Sequence, residues 1–520
     1  MSDPRQFFWR AMQRLNLVKP KKRQFQVFTD LFLARLRAAP AVRSSGASRG
    51  AVGVLVTPWQ QTAVPFFSIE CARKLAADGL RVSLLWEPEN IFGNAADAGE
   101  VAQIERAISA LGAEFEIVRL PADPVMNGND PAFLAELLFE NAVQKMRGEA
   151  GAQEYLAAHP EMVEGMRSQV VRVRSFLRTR AFDWLLIPGG VWAISGVYAG
   201  VAAEIGVPFT TFDSGPGALL LGNDGATAHF PDVESLALEL TARCRDDVKE
   251  RERITHRAQE QMRIRMRGDD EFRLQPVATS AAAGHRWDIV VPLNLRWDSA
   301  AMCRKHLFAN VRDWLTRLLA WVEATPGATV AIRQHPCEKL ADYRGTDDFS
   351  QLASGFPGLG ERARFFAAHE DVNTYDLIAG AKVVLPFTSR VGIEAVMLGK
   401  PAVLCARCYY GGCGFAETPA TTAEYFALLG KAVGGNLPLS NDARLAAAVT
   451  YYLAETCLEL KTAFTPAPTD FVKWVKQTAG EIWATPENRD VLESLLTRVP
   501  LARIRHRRFA AALPAPTHAH

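Results

Sequence analysis

The 520 residues are 48% apolar and 22% charged, too many for one ordinary core and too apolar for a disordered chain, so two or more globular domains are expected. No run reaches the roughly 18–20 apolar residues of a membrane-spanning helix, and MSDPRQFFWR lacks the apolar core of a signal peptide, so a cytoplasmic protein is expected. The net charge of +2 is uneven: residues 1–50 carry +9, residues 491–520 carry +4, and the body between them carries −11.

Basic ends on an acidic body point to an anionic surface. Phe8, Met12 and Leu15 fall at helical spacing beside Arg5, Arg10 and Arg14, and Phe25, Phe28, Phe32 and Leu36 repeat the pattern. Such a helix suits an anionic membrane interface; it equally suits a helix packed on the body with a solvated basic face. Nucleic acid is not expected as a partner, because the basic residues lie without interleaved aromatic platforms. A Ser/Gly stretch then closes a basic extension over 1–49.

From residue 50 the chain alternates. GAVGVLV, LRVSLLW and AEFEIV read as strands, with helices over 62–77 and 98–111 between them. A polar helical region spans 131–180. FDWLLIPGG is a further strand, a helix runs through Glu204, and VPFTTFDSG is a strand ending at Asp213. The following PGALLLGNDGATAHFPD holds three glycines and two prolines and reads as an irregular loop beside a ligand. One long charged helix is predicted over 233–266. This gives a first domain over 50–266 and a linker over 267–285.

A second alternating block starts at Trp287. WDIVVPLNL is a strand, 306–324 a helix, ATVAIRQHP a strand ending at His335, and ARFFAA a short strand. DVNTYDLIAG is a helix and AKVVLP a buried strand. TSR is a turn before the helix VGIEAVMLG, which Gly399 and Pro401 stop, and AVLCA reads as another strand. Helices follow to 465, and 466–520 holds further helices and a basic tail. The expected fold is therefore α/β: two Rossmann-like domains facing across a cleft, the second over 286–465, with ligands at the C-terminal edges of the strands.

In the second block parallel strands bring distant ends together: Asn294, Arg333 with His335, and Thr388 with Ser389. A histidine and two hydroxyls beside a helix start form a phosphate clamp, and Glu394 is set to accept from a ribose diol. Singly, each has an ordinary structural use as a turn, a helix cap or a solvated helix residue; their order on successive strands gives them weight. Cys405, Cys408 and Cys413 cluster, but with no second CxxC or CxxH near them they read as core thiols, and no metal site is expected.

RQHP, then DLIAGAKVVLPFTSRVGIEAVMLGKPAVL, then YYGGCGF, resembles the bacterial capsule polysaccharide biosynthesis proteins related to the β-Kdo transferases. The match runs through His335, Pro336, Thr388, Ser389, Gly392, Glu394, Ala395, Gly399, Lys400, Pro401, Tyr410 and Gly411. The resemblance implies a metal-independent GT-B glycosyltransferase with no cofactor beyond its nucleotide-sugar substrate, CMP-linked and carrying Kdo or a related acid. The acceptor would be a lipid-linked or capsular glycan. His335, Ser389 and Thr388 would contact the donor phosphate and Glu394 its ribose. Asp213, in Asp213-Ser214-Gly215, would be the catalytic carboxylate, where many relatives carry Glu-Asp-Gly or Glu-x-Gly. Gly215, Asn223 and Asp224 would line the acceptor side, and Tyr410 with Gly411 would form a lip over the donor. The same fold also accommodates nucleotide-sugar epimerases and hydrolases, and a glycan-binding component of capsule assembly or export that has lost its chemistry.

Overall fold

The structure, a computed structural model, describes residues 21–39, 42, 49–88, 97–112, 114–120, 130–215, 218–269, 275–276, 286–458, 460–461 and 477–512. The segment around Phe8, Met12 and Leu15, most of the expected 267–285 linker and the end of the basic tail lie outside these residues.

The chain forms two compact units. One comprises Met1–Leu138, Pro160–Thr227 and Leu460–Pro500, the other Phe139–His159, Ala228–Glu459 and Leu501–His520. This differs from a division at the linker. The helical region expected to close the first domain packs with the second unit, and it is two helices, Val233–Asp246 and Val248–Met266. Asp247 separates them, its carboxylate accepting from Glu250 N at 2.9 Å as an N-cap. Ile254, Ala258 and Met262, four residues apart, form the buried stripe of the second helix.

The first unit is built on a seven-stranded sheet in the order β11-β6-β5-β4-β1-β2-β3. Strands β1 (Ala51–Val56), β2 (Arg81–Trp86), β3 (Glu116–Val118), β4 (Trp184–Pro188) and β5 (Phe209–Gly215) are parallel. All six residues of β1 are buried, as expected of a strand covered on both faces. The Gly/Pro-rich segment read as an irregular loop instead contains β6 (Ala218–Asn223), antiparallel to β5 with Asp213 opposite Leu220. β11 (Leu460–Lys461) extends the sheet from β6.

Helix Lys21–Ala38 answers half of the membrane question. Phe25, Phe28, Phe32 and Leu36 are buried, and Phe28 and Phe32 meet Phe66 edge-on at 4.8 and 4.7 Å. The stripe that would enter lipid is used inside the unit, each buried ring contributing about 2 kcal/mol, and Arg35 pairs with Glu70. For these residues the packed-helix reading replaces the interfacial one. Among the described residues no helix is long and apolar enough to cross a membrane.

The second unit holds a four-stranded parallel sheet in the order β10-β7-β8-β9: β7 (Ile289–Pro292), β8 (Val330–Arg333), β9 (Ala363–Phe366) and β10 (Val383–Val384). Helix Val311–Ala324 lays Trp314, Leu315, Leu318, Leu319 and Val322 into its core. The AVLCA segment, expected as a full strand, is reduced to bridges: Ala402 pairs with Val384 and Val403 with Glu417.

Candidate functional site

The C-terminal ends of β7, β8 and β10 deliver the predicted residues to one edge of the second unit's sheet. Asn294 follows β7, and its side chain stitches the ends together: Nδ2 donates to Thr388 Oγ1 at 3.1 Å, and Oδ1 accepts from Thr388 N at 3.3 Å. Thr388 is buried, so this pair fixes the distance between strand ends.

His335 follows β8 and caps the short 3-10 turn Pro336–Lys339, its Nδ1 accepting from Cys337 N at 3.2 Å. That bond assigns the neutral ring's proton to Nε2. Burial, and then the charges of Arg265 and Arg333, pull its pKa down to about 4, so at neutral pH it is an uncharged N–H donor. Ser389 Oγ accepts from Val391 N at 3.3 Å and keeps its hydroxyl proton to donate. The helix after it, Val391–Met397, spans seven residues, and Gly392 N and Ile393 N bond back to the carbonyls of Ser389 and Arg390. The side chains around this turn, more than its backbone N–H groups, are therefore what a phosphate would meet.

Sequence reasoning missed the cation that completes this corner. Arg265, in the last turn of helix Val248–Met266, lines with His335, Ser389, Thr374, Tyr375 and Arg333 a cavity of about 70 Å³. Its side chain is 28% exposed and forms an ion pair with Glu394 at 3.1 Å. In the sequence it sits in RIRMR, which reads as a solvated basic helix end, and only the fold brings it to His335. The hydroxyl of buried Thr374 and Nε of buried Arg333 also border this cavity without a hydrogen-bond partner among the described residues. An adjacent cavity of about 550 Å³ shares Leu293 and Gln334 with it and is lined by Arg147, Asn294, Trp297 and Arg344 among others. Trp297 is stacked near Tyr343, with the Arg147 guanidinium 5.2 Å from its ring centre.

Further predicted site roles change. Arg333 is a backbone clamp: its guanidinium donates to the carbonyls of Phe366, Ala367, Glu370 and Val372, anchoring the loop after β9 and leaving its Nε toward the cavity. Glu394 is 0% exposed and accepts from Tyr375 OH at 2.9 Å, which removes it from reach of a ribose diol. Tyr410 is likewise 0% exposed and cannot be a lip. Its hydroxyl donates to Ser389 O at 2.7 Å, bracing the serine turn from beneath, while Gly411 is held by Cys408 O and Thr418 Oγ1. Cys405, Cys408 and Cys413 are buried free thiols, with Cys405 Sγ 3.7 Å from Pro386 O.

In the first unit, Asp213 lies near the C-terminal end of β5, half-buried, next to Phe212, whose carbonyl accepts from Gly189 N at 2.7 Å. Gly215 ends the strand opposite Ala218. That edge is where open α/β sheets bind ligands. Asn223 and Asp224 are at the other end of the hairpin, about 10 Å away along the strand at ~3.3 Å per residue. Asn223 accepts from Thr210 Oγ1 and donates to Arg498 O; Asp224 accepts from Phe209 N and from Arg498. They tie the Arg498 segment to the sheet and do not line an acceptor loop. Gln60 and Gln61, just beyond β1, both adopt positive φ (54° and 58°), and Glu100 accepts from Trp59 N and Gln61 N to hold that turn.

Residues 249–428, which contain Arg265, Asn294, His335, Ser389 and Glu394, match the family described as capsule polysaccharide biosynthesis protein. No curated protein matches the chain. Among solved structures, the β-Kdo 2,7-transferase KpsC of Thermosulfurimonas dismutans is similar at 18% identity over 58% of this chain and 88% of that one, with a TM-score of 0.32. The UDP-GlcNAc 2-epimerase of Neisseria meningitidis, bound to UDP-GlcNAc, is similar at 10% identity over 77% and 97%, TM-score 0.27. The glycosyltransferase SnogD of Streptomyces nogalater is similar at 15% identity over 82% and 99%, TM-score 0.24.

Proposed function

We propose that this chain is a glycosyltransferase of capsule polysaccharide biosynthesis, with the phosphate of a nucleotide-sugar donor held by His335, Ser389 and Arg265 and the nucleoside in the adjacent 550 Å³ cavity. The observation that carries the reading is the convergence of an uncharged imidazole, a hydroxyl and a guanidinium on one cavity at the ends of β7, β8 and β10, inside the segment that matches the family. The donor expected from the resemblance is a CMP-activated sugar such as Kdo, and the acceptor a lipid-linked or capsular glycan.

In transfer, the acceptor hydroxyl forms a bond to the anomeric carbon as the bond from that carbon to the phosphate oxygen breaks. The leaving nucleotide gains negative charge. His335 Nε2–H, Ser389 O–H and the Arg265 guanidinium supply fixed donors to it, each such charge-assisted bond contributing about 1.5–3 kcal/mol. We assign the acceptor's proton to Asp213, the carboxylate at the C-terminal edge of the seven-stranded sheet. Asn294 and Thr388 act as the brace that sets the serine turn against His335.

The test is nucleotide release from CMP-Kdo and other nucleotide sugars in the presence of a capsular acceptor. Release should fall at least a hundredfold in His335→Ala, while Asp213→Asn should lose transfer and keep donor affinity. Donor binding unchanged in both His335→Ala and Ser389→Ala would sink the site, and conversion of a nucleotide sugar to its epimer without acceptor would replace transfer with epimerisation.

A further inference from the structure

We infer that Glu394 and Tyr375 are positioning residues that set Arg265 in the donor-phosphate corner, an inference that rests on the donor-site reading above. Glu394 is a fully buried carboxylate on helix Val391–Met397. A buried charge without partners would cost several kcal/mol. Here Tyr375 OH donates to Oε2 at 2.9 Å, and Oε1 faces Arg265 Nε at 3.1 Å. Tyr375 is itself buried on helix Thr374–Gly380. Burial, and then the Glu394 charge, raise its phenol well above the ordinary value, so it stays a proton donor.

Two helices thus present one rigid carboxylate to the end of a third. A guanidinium is a planar fork, and the ion-pair contact at its Nε end, which is not a hydrogen bond, draws that end of the group toward Glu394. That contact matters because holding a side chain as long as arginine's in one rotamer costs conformational entropy, which the ion pair with Glu394 helps to offset. The same carboxylate is a liability for the proposed ligand. A negative charge beside a phosphate corner repels the phosphate, so Glu394 favours binding only if orienting Arg265 outweighs its own repulsion.

The two effects have opposite signs, which makes the inference testable. Glu394→Gln keeps the size and the Tyr375 contact and removes the charge. Calorimetric titration with CMP, and separately with inorganic phosphate, should give binding about tenfold weaker in Glu394→Gln, about ten- to a hundredfold weaker in Arg265→Ala, and no further loss in the double variant. Binding that is equal or tighter in Glu394→Gln, with Arg265→Ala still weakened, would overturn the positioning role. If Arg265→Ala and His335→Ala both bind like the native protein, or the native protein binds neither probe, the donor-site reading beneath it fails instead. Should Glu394→Gln not fold, Tyr375→Phe removes one hydroxyl only. It should weaken CMP binding about threefold and lower the melting temperature by a few degrees, because Glu394 Oε2 loses its donor, and unchanged affinity there would likewise overturn the inference.

Discussion

Replacing Gly392 by alanine should damage both stability and the phosphate corner, although the change adds one methyl group. A Cβ at position 392 would fall well inside contact distance of the Tyr410 hydroxyl and 2.9 Å from both Pro386 Cγ and Tyr410 Cζ. None of these is the free end of a flexible chain: Tyr410 is fully buried, its ring stacked on Phe415 at 5.6 Å and its hydroxyl bonded to Ser389 O. Overpacking of this kind costs about 1–3 kcal/mol, and losing the Tyr410–Ser389 bond adds about 1 kcal/mol. The sum corresponds to a drop of roughly 5–10 °C in the melting temperature of a unit of this size, readable by calorimetry or dye-based melting. Because Ser389 moves with its carbonyl, CMP affinity should also fall about tenfold. Adding Tyr410→Phe removes the phenolic oxygen, the nearest obstacle, and should recover part of the stability. A Gly392→Ala protein melting within ~1 °C of native would refute the packing of Tyr410 under the serine turn.

Two further outcomes follow from buried charge. Arg296 donates to Glu140 at 2.6 and 2.7 Å and to Glu149 at 2.6 Å, all three residues being largely buried; Arg296→Ala strands two carboxylates and should cost about 3–5 kcal/mol by denaturant unfolding, with Arg296→Met nearer to native only if Glu140 and Glu149 are also neutralised. His335 and His229 are held neutral in the fold, at about 4 and about 3, each chiefly by burial. The unfolded chain takes up their protons below about pH 6.5, so stability is full above that value and falls as pH drops toward 4, by an order of 3 kcal/mol for His335 alone. Melting temperatures from pH 7 to 4.5 should decline accordingly. The decline should be shallower in His335→Gln, and also with inorganic phosphate present, because an anion favours the imidazolium.

How much of this was readable from the chain depends on what each residue's neighbours in sequence could reveal. The strands β7, β8 and β10 announce themselves as apolar runs, and the parallel order that follows brings His335 and Ser389 to one edge. Arg265 was invisible because a basic amphipathic helix end looks the same whether its arginine faces water or a cavity. Glu394 was legible as a residue of the site but not as a buried one. It lies three positions after Val391, on the flank of the stripe formed by Val391, Ala395 and Leu398, and only Tyr375 and Arg265 arriving from other helices turn that flank inward. Tyr410 misled for the converse reason: YYGG reads as a mobile turn, whereas the missing Cβ of Gly392 opens the slot its ring fills. In the first unit ALLLGN was masked by the glycines and prolines around it, and it forms β6 because a strand edge at β5 was available to pair it.

The central claim is a nucleotide donor held at the His335–Ser389–Arg265 corner, and a thermal-shift series with CMP, UDP, GDP and ADP tests it most directly. A ligand at a hundred times its dissociation constant stabilises the folded state by about 2.7 kcal/mol. One nucleotide, CMP by the resemblance, should raise the melting temperature of the native protein by several degrees and lose that effect in His335→Ala and Arg265→Ala. No shift with any of the four, or the same shift in both variants as in the native protein, would contradict it.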